Sequence, residues 1–139
     1  MRELLILLIV APPLLSIIVG LFFGWQLQRY YDDVREIRSD EQLDRLQRHA
    51  TVQMYAALLQ VPMILVPIGA YMFGVYAGHM SGADVLYPVI TSLAMIVVGK
   101  LMGLIEKKVQ TMPVSDPDLL ARRDRIVYVW MTSALPKWD

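Results

Sequence analysis

LLILLIVAPPLLSIIVGLFFGW, residues 4–25, carries no charged side chain over its 22 residues. As an α-helix this run would be about 33 Å long at a rise of about 1.5 Å per residue, which matches a bilayer hydrocarbon core of about 30 Å. The run is too long for the apolar region of a typical signal peptide and lacks an Ala-x-Ala cleavage pattern. We therefore expect it to be retained as a membrane span.

Two further apolar runs follow. Residues 52–76 contain VPMILVPIGAYMFGVY, and residues 85–105 contain YPVITSLAMIVVG. The linker AGHMSGAD between them is short and has no Lys or Arg, so these two runs form an antiparallel hairpin. Spans of this length satisfy their backbone hydrogen bonds in lipid only as helices. The sequence predicts an all-α, polytopic membrane protein with three transmembrane helices, organised as a single membrane domain over residues 1–139.

Composition excludes several classes of function. Thirteen basic residues balance thirteen acidic ones, so no nucleic-acid partner is expected, and the absence of cysteine excludes disulfides and thiolate chemistry. No catalytic or metal-binding constellation stands out, and we expect neither an enzyme nor a cofactor. His79 and Asp84 flank a glycine-containing turn, where such a pair is expected to be solvated.

The distribution of Lys and Arg predicts the orientation in the membrane. Five arginines lie between the first and second spans, six Lys or Arg residues follow the third, and only Arg2 precedes the first. We expect the N-terminus outside and the C-terminus in the cytoplasm, in a bacterial inner membrane.

The polar segment 26–51 has helical periodicity. One apolar stripe continues from the first span, and a second leads into the second span; their members are Tyr30, Val34, Ile37, Leu43 and Leu46. Ser39 and Gln42 between them have the spacing of a capping box. We predict an inner hairpin of two helical extensions that turns at residues 38–39, with the stripes facing each other. Its charges form either a solvated face or a docking post for a partner subunit.

Residues 116–118, Asp-Pro-Asp, have the pattern of a helix start, which predicts a C-terminal amphipathic helix over about 117–134. The segment is too short to span. We expect it to lie at the membrane interface or against another subunit, because its apolar part would be costly to leave in water. The expected contacts with lipid or partner are Arg122, Arg123, Arg125, Trp130 and Trp138.

Each span contains a pair of glycines at a spacing of four, which permits close approach of helix backbones. The six predicted packing residues are Gly20, Gly24, Gly74, Gly78, Gly99 and Gly103. The spacing does not distinguish packing within the chain from packing between subunits. Prolines also interrupt the spans, and plain helix kinking is the expected consequence, with freed carbonyls lining a path as the alternative.

Lys100 is the one charged residue within a predicted span, about 8 Å from the inner end. A lysine at this depth can extend its ammonium to the headgroups. The alternative is a paired or functional charge, with Gln53 and Gln60 as polar neighbours.

Arg45-x-x-Arg48-His49, which opens the second span after a charged inner loop, resembles the membrane-associated proteins of eicosanoid and glutathione metabolism. That resemblance implies a glutathione-using trimer, but it covers about ten residues. Those proteins have four spans, and the Asn and Glu expected after the arginine are missing here, with Gln53 nearest. No residue role is carried over.

Two functions remain open. The first is a non-catalytic accessory subunit of a larger respiratory, photosynthetic, transport or secretory complex, in contact with the lipid bilayer and with other membrane protein subunits. The second is a homo-oligomeric channel or transporter in which Lys100 and Gln60 line a path.

Overall fold

A computed structural model describes residues 1–138. Four α-helices follow one another: α1 Arg2–Val34, α2 Asp40–Tyr76, α3 Leu86–Gln110 and α4 Pro117–Thr132, with a 3-10 turn at Gly82–Val85 before α3. The helices α1, α2 and α3 are long and apolar enough to cross a membrane. The prediction of an all-helical chain with three candidate membrane spans is confirmed over the described residues.

Both α1 and α2 continue beyond their apolar runs, with 33 and 37 residues respectively. The connection between them begins at Arg35, whose φ of 50° lies in the left-handed region and ends α1. Before α2, the Ser39 hydroxyl accepts a hydrogen bond from the Gln42 backbone at 3.4 Å. The Gln42 side chain reaches back to the backbone N–H of Arg38 at 2.7 Å, so orphan donors at the start of α2 are satisfied locally.

The chain divides into two compact units. The apolar unit comprises Met1–Leu21 and Leu59–Leu101. The polar unit comprises 22–58 and 102–138 in the described part of the chain. The apolar unit holds just four charged residues, namely Arg2, Glu3, Asp84 and Lys100.

Within the apolar unit, a small cluster forms around Leu5, Ile9 and Met80. Met80 reaches this cluster because α2 ends abruptly: Gly78 adopts φ 70°, and the backbone N–H groups of His79 and Met80 both donate to the Gly74 carbonyl at 2.9 and 3.0 Å. This left-handed glycine and its hydrogen bonds resemble the usual helix C-cap. The turn after α2 therefore folds back onto the helix.

Within the polar unit, α4 covers a core that the other helical segments build. The fully buried members include Leu27, Leu43, Leu46 and Val109, with Ile126 and Trp130 contributed by α4. A short bridge also joins the two connections, since the Ile37 N–H donates to the Pro113 carbonyl at 2.9 Å and the Ser115 N–H donates to the Ile37 carbonyl at 3.1 Å. The C-terminal segment is thus an integral part of this unit.

Candidate functional site

The predicted packing glycines fall into three groups. Gly20 and Gly74 lie within the apolar unit against its own side chains: a Cβ on Gly20 would be 3.6 Å from Val98 Cγ1, and one on Gly74 would be 2.7 Å from Met80 Cγ. Gly24, in the polar unit, is similarly closed by the thioether of Met102. These three positions serve packing within the chain.

Gly78 differs from its prediction as a packing residue. Its φ of 70° places it in the turn that ends α2, and no atom lies within 4 Å of where a Cβ would stand. Spacing alone assigned it to a Gly-xxx-Gly pair with Gly74. Its backbone conformation shows that it is required by the turn instead.

Gly99 and Gly103 form the third group, because a Cβ at either position would meet no atom within 4 Å. Both lie on α3, one turn apart, and both are exposed. Neighbouring large side chains on this helix, Ile96 and Leu104, are 54% and 61% exposed. This flat stripe of α3, defined by Gly99 and Gly103, is not covered by the described part of the chain.

The predicted intramembrane polar residues belong to both units. Lys100 is exposed in the apolar unit, and its ammonium makes no hydrogen bond or ion pair with any residue of 1–138. Gln60 is half-buried in the same unit, and Gln53 belongs to the polar unit.

Three prolines from three helices line one cavity in the apolar unit. Pro13, Pro67 and Pro88 surround a space of about 240 Å³ together with Thr91. The Thr91 hydroxyl is satisfied within its own helix, since it donates to the carbonyls of Tyr87 at 2.9 Å and Pro88 at 3.2 Å. The cavity is consequently apolar in character.

An ion pair that the sequence did not indicate lies in the apolar unit. Arg2 Nη2 donates to Asp84 Oδ1 at 2.8 Å, and Asp84 Oδ2 accepts from the Ser81 N–H at 2.7 Å and the Ser81 hydroxyl at 3.1 Å. Asp84 is 5% exposed, so it is not the solvated loop residue that we expected. The Ser81-x-x-Asp84 spacing before a helix was the available signal, because it is that of a capping box.

Most of the residues predicted to contact a partner or lipid lie inside the polar unit. Tyr30, Ile37, Leu43 and Leu46 are at most 1% exposed, and Trp130 is 9% exposed. The stripes of the two extensions are covered by the chain itself, because α4 packs over them. Val34 and Trp138 are half-buried against the same core, and Trp138 Nε1 donates to Thr51 Oγ1 at 3.1 Å. These side chains present no open apolar face to another molecule.

The arginines of α4 contact protein rather than standing free toward lipid. Arg122 pairs with Asp40 at 2.7 Å and also with Asp44, and hydrogen bonds to Asp44 and then Asp40 raise its pKa above the ordinary value. Arg123 Nη1 donates to the carbonyls of Gln110 at 2.8 Å and Met112 at 3.3 Å, where it satisfies the end of α3. Arg125, the third arginine, is exposed.

Glu106 occupies a position that the sequence analysis did not single out. It is half-buried at a cavity of about 330 Å³ in the polar unit, which Gln53, Trp130 and Ser133 also line. Within residues 1–138 its carboxylate has no hydrogen bond or ion pair. Glu106 comes directly after the third apolar run. An acidic residue at that position is explained by the start of the polar segment, so nothing in the sequence singled it out.

In residues 1–138, no three His, Asp or Glu side chains group closely enough to hold a metal ion. No protein family model, curated protein or solved structure matches this chain. Function must therefore be argued from the arrangement of the side chains themselves.

Proposed function

We propose that this protein is a non-catalytic accessory subunit of a larger integral membrane complex, to which it binds through the Gly99–Gly103 stripe of α3. The observation that carries the proposal is that Gly99 and Gly103 are both open and lie one turn apart, whereas the paired glycines of the other two spans are closed by side chains of the chain itself or used in a turn. Respiratory, photosynthetic, transport and secretory complexes all contain small helical subunits that fit this description.

The physical argument rests on how helices associate in lipid. Apolar burial does not drive them together there, so they associate where small residues let backbones approach and dispersion contacts accumulate. Of the most apolar 18 residues of α2 and of α3, 11% are buried within the chain. Most of the lateral surface is therefore open to lipid, and the Gly99–Gly103 stripe is where a partner helix can approach most closely.

The polar unit supports the same proposal in a different way. Its apolar stripes are closed into a core, and the charged side chains of Arg122, Asp40 and Asp44 pair outside that core. In this proposal the unit lies on the cytoplasmic side of a bacterial inner membrane, with the N-terminus outside, in accordance with the Lys and Arg distribution. It would secure the orientation of the spans that meet the partner.

The test is purification in mild detergent of the chain and of its Gly99→Leu and Gly103→Leu variants. A Cβ at either position would meet no atom of the described chain within 4 Å, so we expect both variants to keep the thermal stability of the isolated protein. We expect the unsubstituted chain to co-migrate with foreign subunits in fixed stoichiometry, and both variants to lose them.

Gly69→Leu is the matched control, because Gly69 is also open but lies on α2 and has no paired glycine one turn away. It should retain the foreign subunits. Recovery of the chain as a pure homo-oligomer would contradict the proposal and favour the channel or transporter. Equal loss of partners in Gly69→Leu would contradict the role of the stripe.

A further inference from the structure

Two arginines of the polar unit point into one cavity without using their hydrogen-bond donors. The cavity measures about 320 Å³ and is lined by Trp25, Gln26, Arg29, Tyr30, Asp33, Arg45 and His49. Arg29 makes no hydrogen bond or ion pair with any residue of 1–138. Arg45 approaches Asp33 at 4.0 Å, which is too long for a hydrogen bond.

Several other arginines of the chain donate to protein oxygens. Arg2 and Arg122 donate to carboxylates at 2.8 and 2.7 Å, and Arg123 donates to two backbone carbonyls. A guanidinium carries five N–H donors in a fixed planar fork. The pair Arg29 and Arg45 therefore brings to one cavity a set of donors that the protein itself does not satisfy.

Aromatic rings hold both guanidinium groups in place. Arg29 lies over the Trp25 ring at 5.6 Å, and Arg45 lies over the Tyr30 ring at the same distance. Tyr30 is itself fixed, since its ring is 1% exposed and its hydroxyl donates to the Gln42 carbonyl at 2.9 Å. The His49 ring also packs against Tyr30, with ring centroids 5.2 Å apart. The donors are thus positioned before any ligand arrives.

The position along the chain places this cavity at the depth of lipid headgroups. Trp25 ends the first apolar run, and Arg29 follows it by one helical turn; His49 precedes the second run by about one turn. Trp25 is 58% exposed, as is usual for an indole at a membrane interface. Asp33 offsets one of the two positive charges, which leaves the cavity with a net positive charge.

We propose that Arg29 and Arg45 form a binding site for a phosphate group, with Trp25 as the apolar residue at its edge. Paired guanidinium forks match phosphate oxygens, and each can make two parallel charge-assisted hydrogen bonds. The phosphate belongs either to a phospholipid headgroup or to a soluble phosphate compound, since the chemistry that binds both is the same. This site is independent of the stripe on α3.

The experiment is a titration of the purified full-length protein in detergent with phosphatidylglycerol, followed by native mass spectrometry. Diacylglycerol, which lacks the phosphate, is the ligand control. We expect phosphatidylglycerol to bind, diacylglycerol not to bind, and Arg29→Gln or Arg45→Gln to weaken binding about tenfold each. Glycerol phosphate, which carries the phosphate without acyl chains, distinguishes the two sources: binding as tight as that of phosphatidylglycerol identifies a soluble ligand, and much weaker binding identifies the lipid.

Two further variants distinguish loss of the site from a general effect of charge or from damage to the fold. Arg48→Gln removes the same charge one turn along α2 from Arg45, at a residue that does not line the cavity, and should leave the affinity within about twofold. Asp33→Asn removes the carboxylate beside Arg45 and should tighten binding, which a damaged fold would not do. Equal weakening by Arg48→Gln, or unchanged binding in Arg29→Gln and Arg45→Gln together, would overturn the proposal.

Discussion

The polar unit of this chain buries more of its apolar side chains than the apolar unit does. In the polar unit Leu43 and Leu46 have no exposed surface, and the ion pairs of Arg122 lie outside them. In the apolar unit Leu65 and Met72 are 61% and 65% exposed, whereas the carboxylate of the ion pair Arg2–Asp84 is buried. A unit in water must bury its apolar side chains, whereas a unit in lipid loses nothing by exposing them.

The difference implies that the units are stabilised by different forces. The polar unit relies on burial of leucine, isoleucine and tryptophan side chains between helices, as any water-soluble domain does. The apolar unit relies on close contact at small residues, such as Gly74 against Met80, and on locally satisfied polar groups such as Thr91. Substitutions of the same type should therefore have different effects in the two units.

The largest contrast is expected for leucine to alanine. Leu46→Ala removes a side chain with no exposed surface and should lower the free energy of unfolding by about 2–5 kcal/mol. Leu65→Ala, at a 61% exposed position of the apolar unit, should change it by less than about 0.5 kcal/mol. Unfolding of the purified variants in detergent, followed by circular dichroism, measures both. Similar losses of unfolding free energy in Leu46→Ala and Leu65→Ala would mean that the two leucines have the same kind of environment.

A smaller effect is expected at the ion pairs of α4. Arg122→Gln breaks contacts with Asp40 and Asp44, all at least partly exposed, and should cost about 1 kcal/mol. Because salt screens exposed charges, the difference from the unsubstituted chain should shrink in 1 M NaCl. Lys108→Gln removes one positive charge at an exposed position and is the control. A cost that salt does not change would show that Arg122 acts through packing instead.

The smallest effect is expected at Lys100. Its exposed ammonium has no partner within residues 1–138, so a long stem with a polar head should suffice. Lys100→Arg and Lys100→Gln should both assemble normally and change stability by less than about 0.5 kcal/mol. Loss of assembly in Lys100→Gln, with Lys100→Arg normal, would instead reveal a charge that pairs with another subunit.

The sequence was sufficient to predict the spans because length and apolarity are properties of a continuous run of residues. The helical class follows from the same property, since a backbone in lipid has to bond to itself. The start of α4 at Pro117 was also readable, because the cap Asp116 and the proline act within one turn, and the Asp118 N–H donates to the Asp116 carboxylate at 2.9 Å. Interactions between residues that are close in sequence can therefore be predicted from the sequence.

Contacts between residues far apart in the sequence could not be predicted in this way. Arg2 and Asp84 are 82 positions apart, and the apolar stripe at Leu43 and Leu46 does not reveal that α4 covers it. The pair Gly74–Gly78 had the spacing of a packing motif, but spacing carries no information on the left-handed backbone of Gly78. A stripe of apolar residues predicts that something covers it, and only the tertiary structure identifies what does.

The most direct test of the contrast between the units is the accessibility of single cysteines in intact cells, since the chain has none of its own. Gly82→Cys lies in the exposed turn before α3, and Ser39→Cys lies at the exposed start of α2. With a membrane-impermeant maleimide, we predict that position 82 labels in intact cells and that position 39 labels only after the membrane is opened. Labelling of both positions from the outside of intact cells would contradict an apolar unit that crosses the bilayer.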